Sequence, residues 1–314
     1  MLSRIAESLY WVGRYVERAE DTARILDVHV HHILGDPTVS EETACRVLLG
    51  VMGAKPPPGP LDTNRVVDIL AFDASDACSI VGAIGAAREN ARGAREVLST
   101  EMWECLNATW LAMAAQHRHA EEMGPHAFFQ YVKERAAMMA GLADSTMASD
   151  DGWRFLVLGR SLERVDMTAR LLLAAFCDPS GSPDWVTTLR SCSAHEAFLR
   201  TYKRGVDSSL VAEFLLLDRL FPRSAFHALG VAERCLAELG PSVGRAGQED
   251  EGRRILGRAR NELEFAGVRE LLANVPSQLR ALQSACAEAG DAVARRFFQQ
   301  TASVEWKQER MSRL

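Results

Sequence analysis

A twelve-residue sequence occurs twice in this chain, and both copies have the residue spacing of a long amphipathic helix. The first copy, GRYVERAEDTAR, runs from Gly13 to Arg24, and the second copy, GRSLERVDMTAR, runs from Gly159 to Arg170. The copies are 146 residues apart (159 − 13 = 146) without a gap, and seven of the twelve positions are identical. Apolar residues recur in both copies at intervals of three and four, which places them on one helix face. The sequence therefore predicts two long helices built to one pattern.

Charged residues border the apolar face of each predicted helix. At about 100° per residue, one flank of each helix carries a glycine, two acids and an arginine. These are Gly13, Glu17, Glu20 and Arg24 in the first copy, and Gly159, Glu163, Asp166 and Arg170 in the second. Arg18 and Arg164 lie on the opposite flank. A glycine inside a helix costs about 1 kcal/mol relative to alanine, so its presence in both copies predicts the close approach of another helix, a ligand or a partner backbone.

Two interpretations of these charges remain open. The acids and arginines can form ion pairs that lock two helices together. Buried ion pairs seldom add net stability, however, so a set that occurs twice also fits a binding function.

Helical periodicity dominates the chain and alternating strand patterns are nearly absent, so we expect an all-α multi-helix bundle. The patterns predict helices over about 3–34, 41–52, 75–100, 125–148, 150–178, 185–202, 208–220, 221–239 and 249–272, followed by further helices to the C-terminus. Pro222 is expected in the first turn of its helix. The repeat predicts two related halves, about 1–148 and 149–314.

Composition excludes several classes of function. The 314 residues carry a formal charge of −6, which gives no electrostatic basis for general nucleic-acid binding. Seven cysteines are scattered without a C-x-x-C pair, a pattern typical of reduced thiols. No stretch approaches the roughly 20 apolar residues of a membrane span, and charged residues interrupt any signal peptide at the N-terminus. We therefore expect a cytoplasmic protein that binds neither nucleic acid nor a membrane.

A second group of arginines is a candidate anion site. Arg88, Arg92 and Arg95 form a cationic row, and Asn90 between them is a further candidate binding residue. Arg219 and Arg223 repeat the i, i+4 spacing of Arg88 and Arg92 at an offset of 131 (219 − 88 = 131). Guanidinium groups match carboxylates and phosphates. These arginines can bind such an anion, or they can pair with the acids of the repeated helices.

Motifs for metal or nucleotide chemistry are absent. The acids Glu17, Glu20, Glu163 and Asp166 could suggest a dinuclear metal centre, but such bundle sites use Glu-x-x-His pairs, and no histidine follows Glu17 or Glu163 by three residues. The histidines fall into two loose groups, one of His29, His31 and His32 and the other of His117, His119 and His126, and neither has clear ligand spacing. P-loop, G-x-G-x-x-G and G-x-S-x-G motifs do not occur. We expect neither a metal nor a cofactor.

Four segments together resemble the bacterial alpha-E family, an all-helical domain named for a Glu-Arg motif. They are SRIAESLYWVGRYVERAEDTAR at Ser3–Arg24, ARENARGARE at Ala87–Glu96 with Trp103 and Asn107 after it, FLVLGRSLERVDMTARLL at Phe155–Leu172, and FLLLDRLFPRSAF at Phe214–Phe226. The resemblance spans nearly the whole chain and includes both Glu-Arg pairs.

The resemblance implies a set of partners rather than a reaction. Members of the family occur beside, or fused to, circularly permuted ATP-grasp ligases of the glutathionylspermidine-synthetase type, often with transglutaminase-like proteins. ATP-grasp enzymes join a carboxylate to an amine. The resemblance therefore implies a role in making or handling an amide-linked product, and it supplies no catalytic residues.

Three functional hypotheses follow. The first is a helical partner of an ATP-grasp ligase that binds the ligase or a zwitterionic, peptide-like substrate or product. In this hypothesis the acids hold an amine or an arginine of the partner, and Arg88, Arg92 and Arg223 hold a carboxylate. The second is an enzyme of the same pathway with Glu17 or Glu163 as a general base. The third is a purely structural scaffold. An open pocket at the Glu-Arg sets favours a ligand, and buried, fully paired sets favour a scaffold.

Overall fold

The computed structural model describes residues 1–35, 40–177, 183–240 and 250–298, and within them it is all-α. No β-strand occurs among these residues, which confirms the predicted fold class. The helices are α1 (Ser3–Gly35), α2 (Glu41–Met52), α3 (Thr63–Val67), α4 (Ile80–Gly93), α5 (Thr100–Met123), α6 (His126–Thr146), α7 (Asp151–Phe176), α8 (Trp185–Ser191), α9 (His195–Tyr202), α10 (Ser208–Leu217), α11 (Ala225–Leu239), α12 (Glu251–Phe265), α13 (Val268–Ala273) and α14 (Val275–Val293), with short π-helical segments at Asp68–Phe72 and Ala294–Phe298.

Two sets of four helices have the same packing order. In the first set, α1 packs against α4 and α6, and α5 packs against the same two helices. In the second set, α7 packs against α11 and α14, and α12 packs against those two. The sets meet where α1 packs along α7. This arrangement places the two copies of the repeated sequence in contact at the centre of the bundle, while the boundary near residue 148 stays a prediction.

Glycine allows α1 and α7 to cross at backbone contact. A Cβ atom at Gly13 would lie 2.0 Å from the carbonyl oxygen of Leu156, and a Cβ atom at Gly159 would lie 2.1 Å from the carbonyl oxygen of Tyr10. Tyr10 and Leu156 are themselves 146 residues apart (156 − 10 = 146). The contact is therefore reciprocal, like an isologous interface between two copies of one surface. The repeated glycine serves helix packing.

Side chains that cap helix N-termini set two helix starts that the periodicity of apolar residues predicted at the wrong position. Helix α4 begins at Ile80, five residues later than predicted, because Ser79 caps it by accepting a hydrogen bond from the Gly82 amide at 2.9 Å. Helix α11 begins at Ala225 under the corresponding cap of Ser224. The prediction of Pro222 in its first turn was therefore wrong, since this proline lies in the preceding turn.

Two predicted helices are interrupted. The segment 185–202 forms α8 and α9, separated by a turn in which Ser193 has a φ of 53°. The segment 249–272 forms α12 and α13, separated at Ala266 and Gly267, which are both extended. The predicted helix end at 178, the predicted start at 249 and the helices expected beyond 298 lie outside the described residues.

The core is continuous through the contact of α1 with α7. It includes the fully buried side chains of Leu9, Leu26, Leu158 and Leu172, which flank the two copies of the repeated sequence on these helices. All seven cysteines are free thiols. Among the described residues, no helix combines the length and the apolar composition needed to cross a membrane.

Candidate functional site

The two Glu-Arg pairs of the repeat bind each other across the helix crossing. Arg18 donates from Nε to Glu163 Oε1 at 2.6 Å, and Arg164 donates from Nε to Glu17 Oε1, also at 2.6 Å. The two bonds are equivalent under the 146-residue offset, like the two glycine contacts. Both glutamate side chains are only 2% exposed, so the motif forms a buried double ion pair at the centre of the fold.

A second guanidinium group contacts each glutamate. Arg14 donates to Glu163 Oε2 at 2.6 Å, and Arg223 Nη1 lies 2.8 Å from Glu17 Oε1. Burial by itself would raise the pKa of both glutamates, but the neighbouring guanidinium groups outweigh it and the pKa of each is lowered. Both side chains are therefore carboxylates at neutral pH.

Arg223 connects the crossing to helix α11. Its Nη2 donates to Glu20 Oε1 at 2.7 Å and its Nη1 donates to Asp21 Oδ1. Its carbonyl oxygen accepts a hydrogen bond from Thr168 Oγ1 on α7 at 3.0 Å. Glu20 also binds Arg24 one turn later on α1. The turn before α11 is thus fixed to both central helices.

This geometry bears on the hypothesis of a general base. A general base must reach the proton that it removes and must have a pKa near the working pH. Glu17 and Glu163 are buried, paired with two guanidinium groups each and lowered in pKa. The Glu-Arg crossing therefore acts as a clasp between α1 and α7, and its geometry gives no support to either glutamate as a base.

Helix α4 ends at Gly93, so Arg88 and Arg92 lie on it and Arg95 lies in the turn that follows; all three have partners of their own. Arg88 donates to Asn107 Oδ1 at 2.8 Å and contacts Glu89, which also binds Arg92 at 2.7 Å. The guanidinium group of Arg95 lies 4.9 Å from the Trp103 ring centroid. Asn90 donates to the carbonyl of Ala86 within the helix, and Arg219 donates to Glu264 at 3.0 Å. Pairing with the acids of the repeated helices, one of the two interpretations left open, therefore applies to Arg223. In the described part of the chain, the other four arginines contact other groups.

The equivalence proposed between Arg88/Arg92 and Arg219/Arg223 was wrong. The turns before α4 and α11 correspond at an offset of 145, because Ser79 donates to the carbonyl of Asp73 and Ser224 donates to that of Asp218. At this offset Arg223 corresponds to Cys78 (223 − 78 = 145). The i, i+4 spacing of arginines is common on helices, and Arg219 and Arg223 precede a helix rather than lie on one.

A large groove opens beside the clasp, between α1, α7 and α14. Its volume is about 660 Å³, within the range of small-molecule sites. Two residues of the predicted site, Asp166 and Arg170, line it and bind each other at 2.8 Å. Arg14 also lines it and donates from Nη1 to the Tyr10 hydroxyl at 3.1 Å. We call this the α14 groove.

A small cavity on the other side of the crossing is lined in part by residues at positions equivalent to those of the α14 groove. Leu156, Arg160 and Glu20 line the small cavity and correspond at the 146-residue offset to Tyr10, Arg14 and Asp166. On the fourth helices, Ala136, Met139 and Ala140 of α6 correspond to Gln283, Cys286 and Ala287 of α14 at an offset of 147 (286 − 139 = 147).

The two cavities differ in how far side chains fill them. The cavity beside α6 has a volume of about 20 Å³, room for about one water molecule. Met102 and Met139 line it, whereas Cys286 and Gly290 line the α14 groove. The same helix crossing is therefore closed on one side and open on the other, which makes the α14 groove the candidate ligand site.

Sequence reasoning missed most of the groove. The missed residues that line the groove are Tyr10, Trp11 and Arg14 of α1, Asp291 of α14 and Phe298 of the π-helical segment that follows α14. A signal existed for Arg14, since the arginine after the glycine is identical in the two copies. No signal existed for the residues of α14, because their position depends on packing between distant parts of the chain.

The family model of an alpha-helical domain with a conserved ER motif matches residues 1–298. This chain belongs to the Alpha-E family. The clasp is formed by two Glu-Arg pairs, Glu17-Arg18 and Glu163-Arg164, which fit the description of the motif.

Relatives of this Alpha-E protein include uncharacterized proteins of Mycobacterium bovis and Mycobacterium tuberculosis. Each is 26% identical over 323 residues, and the match covers 88% of this chain and 36% of the relative. The chain thus spans about a third of the length of these relatives. Among solved structures, none gives a significant match.

Proposed function

We propose that this Alpha-E protein is a cytoplasmic helical partner of an ATP-grasp amide ligase, and that it holds a zwitterionic, peptide-like substrate or product of the ligase in the α14 groove. The observation that carries the proposal is the open groove at the α1–α7 crossing, lined by both signs of charge. The resemblance to a family associated with such ligases supports the choice of partner.

The lining of the α14 groove fits both ends of a peptide-like zwitterion. Arg14 and Arg170 each use Nε in an internal ion pair, and guanidinium groups have further N–H donors that suit a carboxylate. The exposed acids Glu7 and Asp291 supply carboxylates for an ammonium group. Acids and arginines that line the same groove favour a ligand that carries both charges.

Aromatic side chains give the groove an apolar surface for the body of the ligand. Trp11 stacks on Tyr15 with ring centroids 5.3 Å apart, and Tyr10 contacts Phe298 at 5.4 Å. Tyr10, Trp11 and Phe298 line the groove and remain fixed by these contacts. Rigid aromatic walls with a few charged groups are typical of small-ligand sites.

The clasp itself favours a second candidate function, a scaffold that binds the ligase without a small ligand. Glu17 and Glu163 are buried and fully engaged with arginines, which is the arrangement expected of architecture. In this alternative the α14 groove stays empty of metabolites, and the protein acts only by protein–protein contact.

Filling the groove separates these functions. Ala287 is exposed on the groove wall, so Ala287→Trp reduces the volume without replacing a core residue. Ala281→Trp is the matched control, because Ala281 is also exposed on α14 but lines a different groove against α12. The measurement is affinity purification of each tagged protein from its own cells, with mass spectrometry of co-purified proteins and small molecules.

The proposal predicts that the unaltered protein and Ala281→Trp both bring down an ATP-grasp ligase and an amino-containing metabolite, and that Ala287→Trp loses the metabolite. Recovery of the ligase by all three proteins without any metabolite would favour the scaffold. Recovery of no ligase by the unaltered protein would overturn the partner assignment.

A further inference from the structure

One histidine from each of the two sequence groups, His31 and His126, lies beside the buried Asp27 in the fold. Asp27 and His31 lie one turn apart on α1, and His126 is the first residue of α6. One potential ligand atom from each of the three side chains lies within 4.8 Å of the other two. The packing of α1 against α6 creates this cluster, so spacing along the chain gave no signal for it.

Asp27 is held as an oriented carboxylate. Its Oδ2 accepts a hydrogen bond from Lys133 Nζ at 2.7 Å, and its Oδ1 lies 2.6 Å from His126 Nδ1. With Lys133 on one oxygen, Oδ1 is directed at the two imidazole rings.

His31 has the secondary contact that metal-binding histidines usually have. Its Nδ1 lies 2.6 Å from the backbone carbonyl oxygen of Asp27. A neutral imidazole that donates from Nδ1 to a carbonyl keeps its lone pair on Nε2, and this arrangement is common among metal ligands. In its neutral form, the His31 ring that donates from Nδ1 to this carbonyl leaves Nε2 available for a metal ion.

Only a small rearrangement brings the three groups to bonding distance. Zinc binds nitrogen and oxygen at about 2.0–2.2 Å, so ligand atoms on one ion lie at most about 4 Å apart. The side chains of His31 and His126 are each 62% exposed and can rotate toward Asp27 without disturbing the core. The cluster therefore needs side-chain rotation alone.

We propose that Asp27, His31 and His126 bind a divalent transition metal such as Zn²⁺. One carboxylate and two imidazoles form a ligand set that these ions take. A groove of about 310 Å³ borders Asp27 and His31 and is also lined by Asp184, Thr187 and Arg190. It leaves coordination positions of the ion open to water.

The test is titration of the metal-stripped full chain with Co²⁺, which reports its ligands through visible absorption. We expect one Co²⁺ per chain with a spectrum of nitrogen and oxygen ligands and no thiolate charge-transfer band. Zn²⁺ should displace the Co²⁺. His31→Ala and His126→Ala should each weaken binding by about tenfold or more, with the helical circular dichroism unchanged.

His119→Ala is the matched control. His119 is an exposed histidine near the C-terminal end of α5, and it does not belong to the cluster. It should bind Co²⁺ like the unaltered chain. Equal weakening by His119→Ala, or binding to the unaltered chain no tighter than to the His31→Ala/His126→Ala double variant, would overturn the proposal and leave an ordinary ion-pair network.

Discussion

Glu17 and Asp21 lie one helical turn apart on α1 and both contact Nη1 of Arg223, yet their pKa values shift in opposite directions. The pKa of Glu17 is lowered because Arg223 and Arg164 outweigh its burial. Burial raises the pKa of Asp21 to about 7, and the charges of Glu17 and Glu20 add to this rise. Asp21 Oδ2 is buried without a hydrogen-bond partner in the described part of the chain. Arg223 is therefore shared among more acids than it can neutralise.

We predict that two amide substitutions of similar shape differ strongly in their effect on stability. Glu17→Gln removes the carboxylate partner of Arg164, a part-buried guanidinium group with a side chain 20% exposed, and should lower the free energy of unfolding by about 3 kcal/mol, the lower end of the range for broken buried pairs. Asp21→Asn removes the acid that is least well paired, and the free energy of unfolding at pH 8 should stay the same or rise. Urea unfolding followed by circular dichroism measures both. Equal losses in the two variants would contradict this division of roles.

The pH dependence of stability should separate the same two acids. Because the pKa of Asp21 is raised from 3.8 to about 7, its stabilising effect is full below pH 3.8 and is lost as the pH rises to about 7. That loss amounts to at most about 4 kcal/mol. The pKa of Glu17 is lowered from 4.5, so its ionised carboxylate stabilises the folded protein above pH 4.5, and this stabilisation is lost as the pH falls through the lowered pKa.

Asp21→Asn should therefore gain stability relative to the unaltered protein between about pH 4 and pH 7, and the difference should level off above pH 7. Urea midpoints at intervals of one pH unit measure this difference. A difference that does not change between pH 4 and pH 7 would show that Asp21 titrates normally in the folded protein.

The sequence predicted the elements that depend on local pattern. The 3–4 spacing of apolar residues located α1 and α7, and the constant offset of 146 identified matching charges on both helices. It did not reveal that Arg18 binds Glu163 and Arg164 binds Glu17. Reciprocal bonds of this kind depend on the angle and register at which the two helices cross. Neither copy of the repeated sequence by itself determines that geometry.

Contacts and cavities formed by three or more elements that are distant in the chain could not be predicted from the sequence. Arg223 reaches Glu17 from a turn whose shape is set by the hydroxyl of Ser224 and the carbonyl of Asp218, and helical spacing does not describe such a turn. Cys286 and Gly290 line the α14 groove, whereas Met102 and Met139 line the small cavity on the other side of the crossing. Which side chains face each cavity depends on how the fourth helix of each set packs, and the repeated sequence does not include those helices.

The crossing glycines should not tolerate a methyl group. Gly13→Ala and Gly159→Ala place a Cβ atom about 2 Å from a backbone oxygen of the opposite helix, so α1 and α7 must move apart. We expect each substitution to lower the free energy of unfolding by about 3 kcal/mol or more, at the upper end of overpacking effects.

Gly141→Ala is the matched control for these substitutions. Gly141 lies inside α6, and a Cβ atom added there would have no neighbouring atom within 4 Å, so alanine should stabilise the protein by about 0.5–1 kcal/mol. Thermal unfolding of the three variants tests the prediction. Destabilisation by Gly141→Ala, or tolerance of alanine at Gly13, would argue against backbone contact at the crossing.

The reciprocity of the clasp predicts equal coupling energies in two double-mutant cycles. One cycle combines Arg18→Met with Glu163→Gln, and the other combines Arg164→Met with Glu17→Gln. In each cycle the glutamate keeps a second guanidinium, from Arg14 or Arg223, so the measured coupling belongs to the reciprocal bond. We expect about 1–3 kcal/mol in each cycle, with the two values within about 1 kcal/mol of each other, as measured by urea unfolding. A coupling near zero in one cycle would mean that only one of the two Glu-Arg bonds holds α1 against α7, and that the other is maintained for a different role.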